Sequence, residues 1–493
     1  MVFDESRMSQ PTADEHERGS AIISQLDHGG QYTSCSVGHT LVWSPGEEAQ
    51  IVRKIDFFLL FPLMIGYFLL QIDRTNIGNA LTDNFLNDVS ISQNQFNVGQ
   101  QLLSVGIIIF EVPSNLVLYR TGPAIWIGGQ IIAWGLVATF QAFQRGLGSF
   151  LATRFLLGAC EAGFLPASLY ILSRWYRTSE IGIRFALLFV SNYVSVATSG
   201  IIAYGILHMR GVAGLAGWQW LFILEGICTV AFGLYFLLSF PTELSSPISI
   251  ARISPFSARE ALILEERVIR DDPSKTEVAK HISWEEARSA LTNWRLIPHL
   301  IISILGLAPS AAVGAYAPSL VNAFGFGRLR SNAMTSIGYW GLALVNILAG
   351  WAVDRLRARG PVMAFALMLA LVFNIGNRVL VTSRDKNLRF AMLLLSISVS
   401  TPWHAINGSW LSLNARSAGE RSITLAIYIM AANCNGIIGP QLFRAGDGPY
   451  YPKGFSYIVG FLAAAFVLSL VTILQYSLLN RRAMSRPGLK FHL

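Results

Sequence analysis

Residues 55–80 read IDFFLLFPLMIGYFLLQIDRTNIGNA. The first part, 55–72, is an apolar run with a length close to what a helix needs to cross about 30 Å of hydrocarbon at about 1.5 Å per residue. Asp73 and Arg74 come where the chain has just crossed, and a helix continued through Asn76 and Asn79 shows charge and amide to whatever it packs against. Charged side chains at membrane depth cost about 2.5–3.5 kcal/mol each and are kept for a pathway or a pairing. A charged cavity is therefore the first expectation. The plain alternative is an interfacial loop with a solvated Asp and Arg.

The rest of the chain fits a membrane protein. Of 493 residues, 53% are hydrophobic and 13% charged, against about 25% charged in a soluble globular chain. Apolar runs of spanning length recur at 55–72 (extending towards 80), 96–119, 124–143, 149–171, 184–207 and 218–240, then at 296–323, 332–353, 361–382, 389–413, 421–443 and 455–479. The one long polar connection, Pro241 to Arg295, divides them six and six. The predicted class is an all-α integral membrane fold. Its parts are a disordered cytosolic tail (1–50), a six-helix bundle (51–240), a cytosolic loop with short helices (241–295), a second six-helix bundle (296–480) and a cytosolic tail (481–493). In the loop, Ser257 and Glu260 are spaced as a capping box ahead of an amphipathic stretch, and Ser283 and Glu286 repeat the pattern.

The net charge of +8 does not indicate nucleic acid, because Lys and Arg fall in short clusters between apolar runs. Arg53, Lys54, Arg174, Arg177, Arg184, Arg355, Arg357, Arg359, Arg481 and Arg482 all fall on one side, which places both termini and the central loop in the cytosol. The four cysteines, at 35, 160, 228 and 434, have no disulfide or metal spacing, and residues 1–50 lack the apolar core of a signal peptide.

Several spans carry polar chemistry. Arg154 and Glu161 are two helical turns apart and share a face, with Gly158 and Gly163 leaving room for a close neighbour. The plain reading is an ion pair that fixes packing; the functional one is a binding cation beside a titrating carboxylate. Glu111, ahead of Pro113 and Asn115, and Glu225, in WQWLFILEG, are buried carboxylates of the kind a reversible proton carrier needs, or else structural hydrogen-bonding groups. His404 reads more readily as a satisfied core residue than as a relay, and Asn407 lies beside it. Asn346, Asn374, Asn377, Asn433 and Asn435 need partners in hydrocarbon and are expected to face the interior, lining a cavity or joining helices. No phosphate loop, zinc motif or nucleophile elbow is present. No enzyme, cofactor or metal is expected.

Twelve spans in two sixes suggest the paired halves of a major facilitator. The segment Gly350–Arg359, GWAVDRLRAR, resembles that superfamily's cytosolic gating motif, and RFLLGACEAG (154–163) resembles its fourth-helix motif. IDRTNIGNA, EVPSNLVLYRTGP, RFLLGACEAGFLPASLYILSRWY, WQWLFILEG, LTNWR and DGPYYPKGF together resemble the fungal allantoate and nicotinate permeases of the anion:cation symporter family, over residues 50–480. Tyr119 stands where the wider superfamily pattern has Asp, and Ser336 to Tyr339 stand where relatives often have a Pro-Pro-Tyr turn. The resemblance implies a monomeric, multi-pass plasma-membrane transporter with a rocker-switch fold, importing a small organic anion with protons. On this reading Arg74 and Arg154, with Asn76 and Asn407, bind substrate. Glu161, Glu111, Glu225 and Asp73 couple protons, and Asp354, Arg355 and Arg359 gate the cytosolic side. The alternatives are export of a secondary metabolite, against which stands the missing G-x-x-x-G-P pattern in the fifth span, and a nutrient sensor, against which stands the short tail.

Overall fold

The computed structural model describes residues 41–271, 284–356, 358–414 and 418–483. The chain divides into two units, Met1–Ser44 and Pro45–Leu493, and the described helices all belong to the second. The first helix, α1 (Pro45–Ile55), begins inside the tail predicted to be disordered. Its acidic first turn (Glu47, Glu48) and basic last turn (Arg53, Lys54) complement the helix dipole, and Ile51 and Ile55 are buried.

The chain runs on through a π-helical turn, Asp56–Leu60, into α2 (Phe61–Ala80), so that a continuous helical stretch carries the decisive sequence. Next come α3 (Gln93–Thr121), α4 (Pro123–Phe140), α5 (Gly146–Glu161), α6 (Phe164–Trp175), α7 (Thr178–Leu207) and α8 (Gly217–Ser239). The central connection holds α9 (Ala258–Asp271) and α10 (Trp284–Thr292). The second half is α11 (Leu296–Ala323), α12 (Arg330–Leu356), α13 (Arg359–Leu380), α14 (Lys386–Ser398), α15 (Pro402–Leu413), α16 (Ala418–Asn433) and α17 (Pro452–Ala483). Among the described residues, ten helical segments are long and apolar enough to cross a membrane. The two other expected spans are also helical: α3 is more polar, and 389–413 is split into α14 and α15 ahead of Pro402, whose ring disfavours helical geometry at Thr401.

One break positions the site. Between α5 and α6, Ala162 is extended and Gly163 has φ +86°, and a Cβ at Gly163 would lie 2.2 Å from Ser114 Oγ. Only glycine fits this turn without strain. The carbonyls released in the apolar interior are taken up by Gln130 of α4, whose Nε2 donates to Ala162 O at 2.6 Å and to Cys160 O at 3.3 Å. The helix thus stops right after Glu161.

The two faces differ. On the face bearing 81–92, 208–216, 324–329 and 443–451, the loop face, the two halves are sealed together. Asn97 Nδ2 donates to Phe443 O at 2.8 Å, Gln101 Nε2 to Ile437 O at 2.7 Å, and Asn332 Nδ2 to Thr82 Oγ1 at 2.8 Å. Phe96, Tyr316, Phe443 and Tyr451 cluster beneath, Tyr316 edge-on to Phe96 and Phe443, and Phe443 stacked on Tyr451 with centroids 4.6 Å apart. On the outer rim Asp83, buried, accepts from Arg210 Nε at 2.8 Å and from the Trp218 amide at 3.0 Å, and Arg328 of the second half reaches it at 3.4 Å.

On the opposite, terminal face, α9 is docked rather than loose. The expected capping box forms, with the Glu260 amide donating to Ser257 Oγ at 3.3 Å and the Ser257 amide to Glu260 Oε2 at 2.8 Å. Arg267 is fully buried against Glu180 at 2.5 Å, Arg177 pairs with Glu48 at 2.5 Å, and Lys54 pairs with Glu260 at 2.7 Å. Burial alone raises the Glu260 carboxyl, but Lys54 and the Ser257 amide and hydroxyl outweigh it and hold the group below its ordinary range.

Candidate functional site

The sequence places charge at the ends of α2 and α5, and the fold brings the two ends together. Arg74 Nε lies 2.5 Å from Glu161 Oε2; the Arg74 side chain is 28% exposed and that of Glu161 fully buried. Arg154, two turns before Glu161 on the same face of α5, is fully buried. One of its guanidinium nitrogens donates to the Gln141 side chain, while Nε and Nη1 have no hydrogen-bond partner, and Glu161 and Asp73 are its charged neighbours. Asp73, also buried, accepts from Thr229 Oγ1 of α8 at 3.0 Å. Asn76 donates to Glu225 on the same helix α8. Glu161 Oε1, Glu225 Oε1 and Asn76 Oδ1 are buried without a donor.

Two guanidinium groups and three carboxyl groups thus share one interior, and only Arg74 opens onto space. This separates the two arginines that the sequence had grouped as carboxylate binders. Arg74 is part-exposed; Arg154 is sealed inside, with one guanidinium nitrogen bonded to Gln141. Of the other expected residues, Glu111 is within electrostatic range of Arg74 and takes a 3.2 Å hydrogen bond from Asn433 Nδ2 of α16, which makes it a link between the halves. Asn407 is not brought to the cluster. It is fully buried against α11, its Oδ1 2.5 Å from His299 Nδ1 and its Nδ2 donating to His299 O at 3.1 Å, so both ends of its amide are engaged in packing the second half. His404 is satisfied by the Tyr428 hydroxyl at 2.7 Å.

Residues 63–440 match the model of the Major Facilitator Superfamily. The chain belongs to that superfamily. Its members are transporters rather than enzymes, and this chain is a multi-pass secondary transporter of that type. An uncharacterized transporter of Saccharomyces cerevisiae is 30% identical over 446 residues, covering 89% of this chain and 82% of the relative. An Agrobacterium vitis protein with the provisional name of a tartrate transporter is 29% identical over 439 residues, covering 86% of this chain and 91% of that one. Among solved structures, a D-xylose-proton symporter superposes with a TM-score of 0.63 at 15% identity, covering 84% of this chain and 97% of the other; this is a likeness of fold.

Of the superfamily-type gating segment, the Asp354 side chain and residue 357 lie outside the described residues, while Arg355 is exposed and Arg359 half-buried at the start of α13. Sequence reading missed Gln141, Thr229 and Gln130. A buried glutamine at the end of one apolar run and a threonine inside another are weak signals, because each gains meaning only from the charged group the fold sets opposite it.

Proposed function

We propose that this facilitator imports a small organic anion together with protons by alternating access, with Arg74 as the direct ligand of the anionic group. The observation that carries this reading is the Arg74–Glu161 pair: an accessible cation held by a carboxylate that is itself closed to solvent. An anion can take Arg74 only in competition with Glu161, and a proton on Glu161 removes that competitor. Proton and anion binding at this pair therefore favour each other, which is the requirement for symport.

The neighbouring groups fit the scheme. Arg154 keeps the interior positive enough for the displaced guanidinium to leave Glu161, and Asp73 balances Arg154. Glu225 with Asn76 makes a polar tie between α2 and α8 without facing the anion. Glu111 reports the protonation of the pair to α16 through Asn433. Asp354, Arg355 and Arg359 hold the terminal face shut when the loop face opens. Import against a negative membrane potential opposes a monoanion by about 2.3 kcal/mol per 100 mV. One co-transported proton cancels that penalty and a second reverses it. The tartrate-named relative supports an organic anion as cargo. The reading places the protein in the plasma membrane as a monomer with both termini cytosolic, so the loop face is the outside. The test is uptake by Arg74→Ala and Arg154→Ala: Arg74→Ala abolishes uptake while the protein reaches the membrane. Normal affinity in Arg74→Ala would remove the proposal.

A further inference from the structure

The loop face is charged unevenly. In the first half its acids Asp83 and Asp88 both pair with Arg210, at 2.8 and 2.7 Å. In the second half the connections 324–330, 381–389 and 443–453 carry Arg330, Arg384, Lys386, Arg389, Arg444 and Lys453 besides the seam residue Arg328, against only Asp385 and Asp447. Both acids are engaged by backbone. Asp385 caps α14, accepting from the Asn387 amide at 2.9 Å and the Leu388 amide at 3.2 Å, and Asp447 accepts from the Gly454 amide at 2.7 Å. Among the described residues none of these six cations forms an ion pair, and all but the half-buried Arg389 are exposed.

Ring contacts draw the three connections together. The Arg389 guanidinium lies over the rings of Phe324 and Tyr450, 4.9 and 5.0 Å from their centroids, and the Lys386 ammonium lies 5.3 Å from that of Phe326. A ring face attracts a cation through its quadrupole and holds it without cancelling its charge. Membrane topology gives no reason for the excess, because Lys and Arg are normally enriched on the cytosolic side. On the terminal face, by contrast, Arg177, Arg267 and Lys54 are matched by Glu48, Glu180 and Glu260. A positive surface without counter-charges raises the local concentration of anions and their rate of encounter, within a Debye length of about 8 Å at physiological salt.

Resting on the proposed import of an anion from the loop face, we infer that this cluster is a capture surface. Its cations gather small anions at the outer rim of the second half before Arg74 is reached, by charge alone and without selecting among them.

The test uses the full-length protein in phosphatidylcholine vesicles. Asn387→Cys, at an exposed position between Lys386 and Arg389, is reacted with a sulfonate-bearing and a trimethylammonium-bearing methanethiosulfonate, each rate corrected for the chain without the added cysteine. Relative to a free thiol, the sulfonate is expected to be favoured. Replacing Arg384, Lys386, Arg444 and Lys453 together by Gln is expected to lower the ratio of the two rates about tenfold. Salt at about 1 M, where the Debye length is about 3 Å, should lower it too; if the quadruple variant does not fold, that salt dependence decides alone. A ratio unchanged by either treatment overturns the inference. Initial uptake of a panel of radiolabelled small organic acids reads the consequence: at low salt the quadruple variant is expected to raise KM severalfold, more than it lowers the maximal rate, and to flatten the dependence of KM on salt. An unchanged KM in a variant whose reagent ratio has fallen overturns capture and leaves the anion site standing. No uptake of any acid by the unaltered protein overturns the anion site and the capture role with it. A KM effect seen only when phosphatidylglycerol is added to the vesicles assigns the cations to lipid headgroups and overturns the inference.

Discussion

Replacing Glu161 by Gln tests the coupling logic at its centre. The substitution keeps shape and hydrogen bonding while removing the charge that lies 2.5 Å from Arg74. At an effective dielectric of about 20, unit charges about 4 Å apart attract by about 4 kcal/mol. Arg74 is 28% exposed, and desolvation of the carboxylate offsets much of that attraction, so about 1–3 kcal/mol is left as the competition an incoming anion must overcome. That corresponds to a coupling of about 5–150-fold in affinity. Glu161→Gln should therefore bind the anion about 5–150-fold more tightly at neutral pH, with an affinity that depends less on pH than that of the unaltered protein. In proteoliposomes it should still exchange labelled for unlabelled substrate, yet fail to accumulate substrate when an inward proton gradient is imposed. Gradient-driven accumulation equal to that of the unaltered protein would refute the reasoning, since the carboxylate assigned to the coupled proton would then be dispensable.

Other predictions rest on single contacts. Gly163→Ala forces a side chain into a left-handed turn and onto Ser114, costing about 1–2 kcal/mol for the backbone and about 1–3 kcal/mol for the overlap; a lowered melting midpoint with lost uptake is expected, and an unchanged midpoint would contradict it. Glu225→Gln, which mimics the protonated acid, should keep uptake and its pH profile, whereas Glu225→Ala leaves Asn76 unpaired at a cost of about 1–3 kcal/mol; uptake and thermal melts separate the two. Arg328→Glu sets like charge against Asp83 across the outer seam and should increase labelling of Asn79→Cys by an impermeant thiol reagent from the loop face, relative to Asn79→Cys alone. Because the folded-state pKa of Glu260 lies below its unfolded value, its contribution to docking α9 is complete above the unfolded value of about 4.3 and is lost as pH falls through the lower folded value. For this half-exposed pair the contribution is about 0.2–1 kcal/mol. Hydrogen exchange of α9 amides should therefore accelerate on acidification, and Lys54→Met should weaken that dependence, leaving the part set by the Ser257 cap.

How much of this the sequence discloses depends on the range of the interaction that decides each feature. Hydrocarbon thickness acts on local length, so the apolar runs announce the spanning helices, and the Ser257–Glu260 box announces the start of α9. The stop after Glu161 is another matter. Gly163 reads in the sequence as room for a neighbour, but the backbone turn it permits depends on Ser114 and Gln130, which lie on two other helices. Arg74 and Arg154 look alike in the sequence; one opens to space and the other is sealed, and only the packing of α2 against α8 and the reach of Arg74 to Glu161 of α5 decide which. Asn407 looks like a cavity residue because its amide lies in an apolar run, and it finds its partner in His299, 108 positions away. The tail fares similarly: α1 is too short to hold its shape alone, and it persists because Glu48 meets Arg177 and Arg267.

The most direct test of the account is uptake of a panel of radiolabelled small organic acids into proteoliposomes containing the purified protein, with the proton gradient and the membrane potential imposed separately. The account predicts accumulation above the outside concentration when the exterior is acidic, its collapse on adding a protonophore, and its absence in Arg74→Ala. Equal uptake with and without the proton gradient, or gradient-driven accumulation that survives Arg74→Ala, would contradict it.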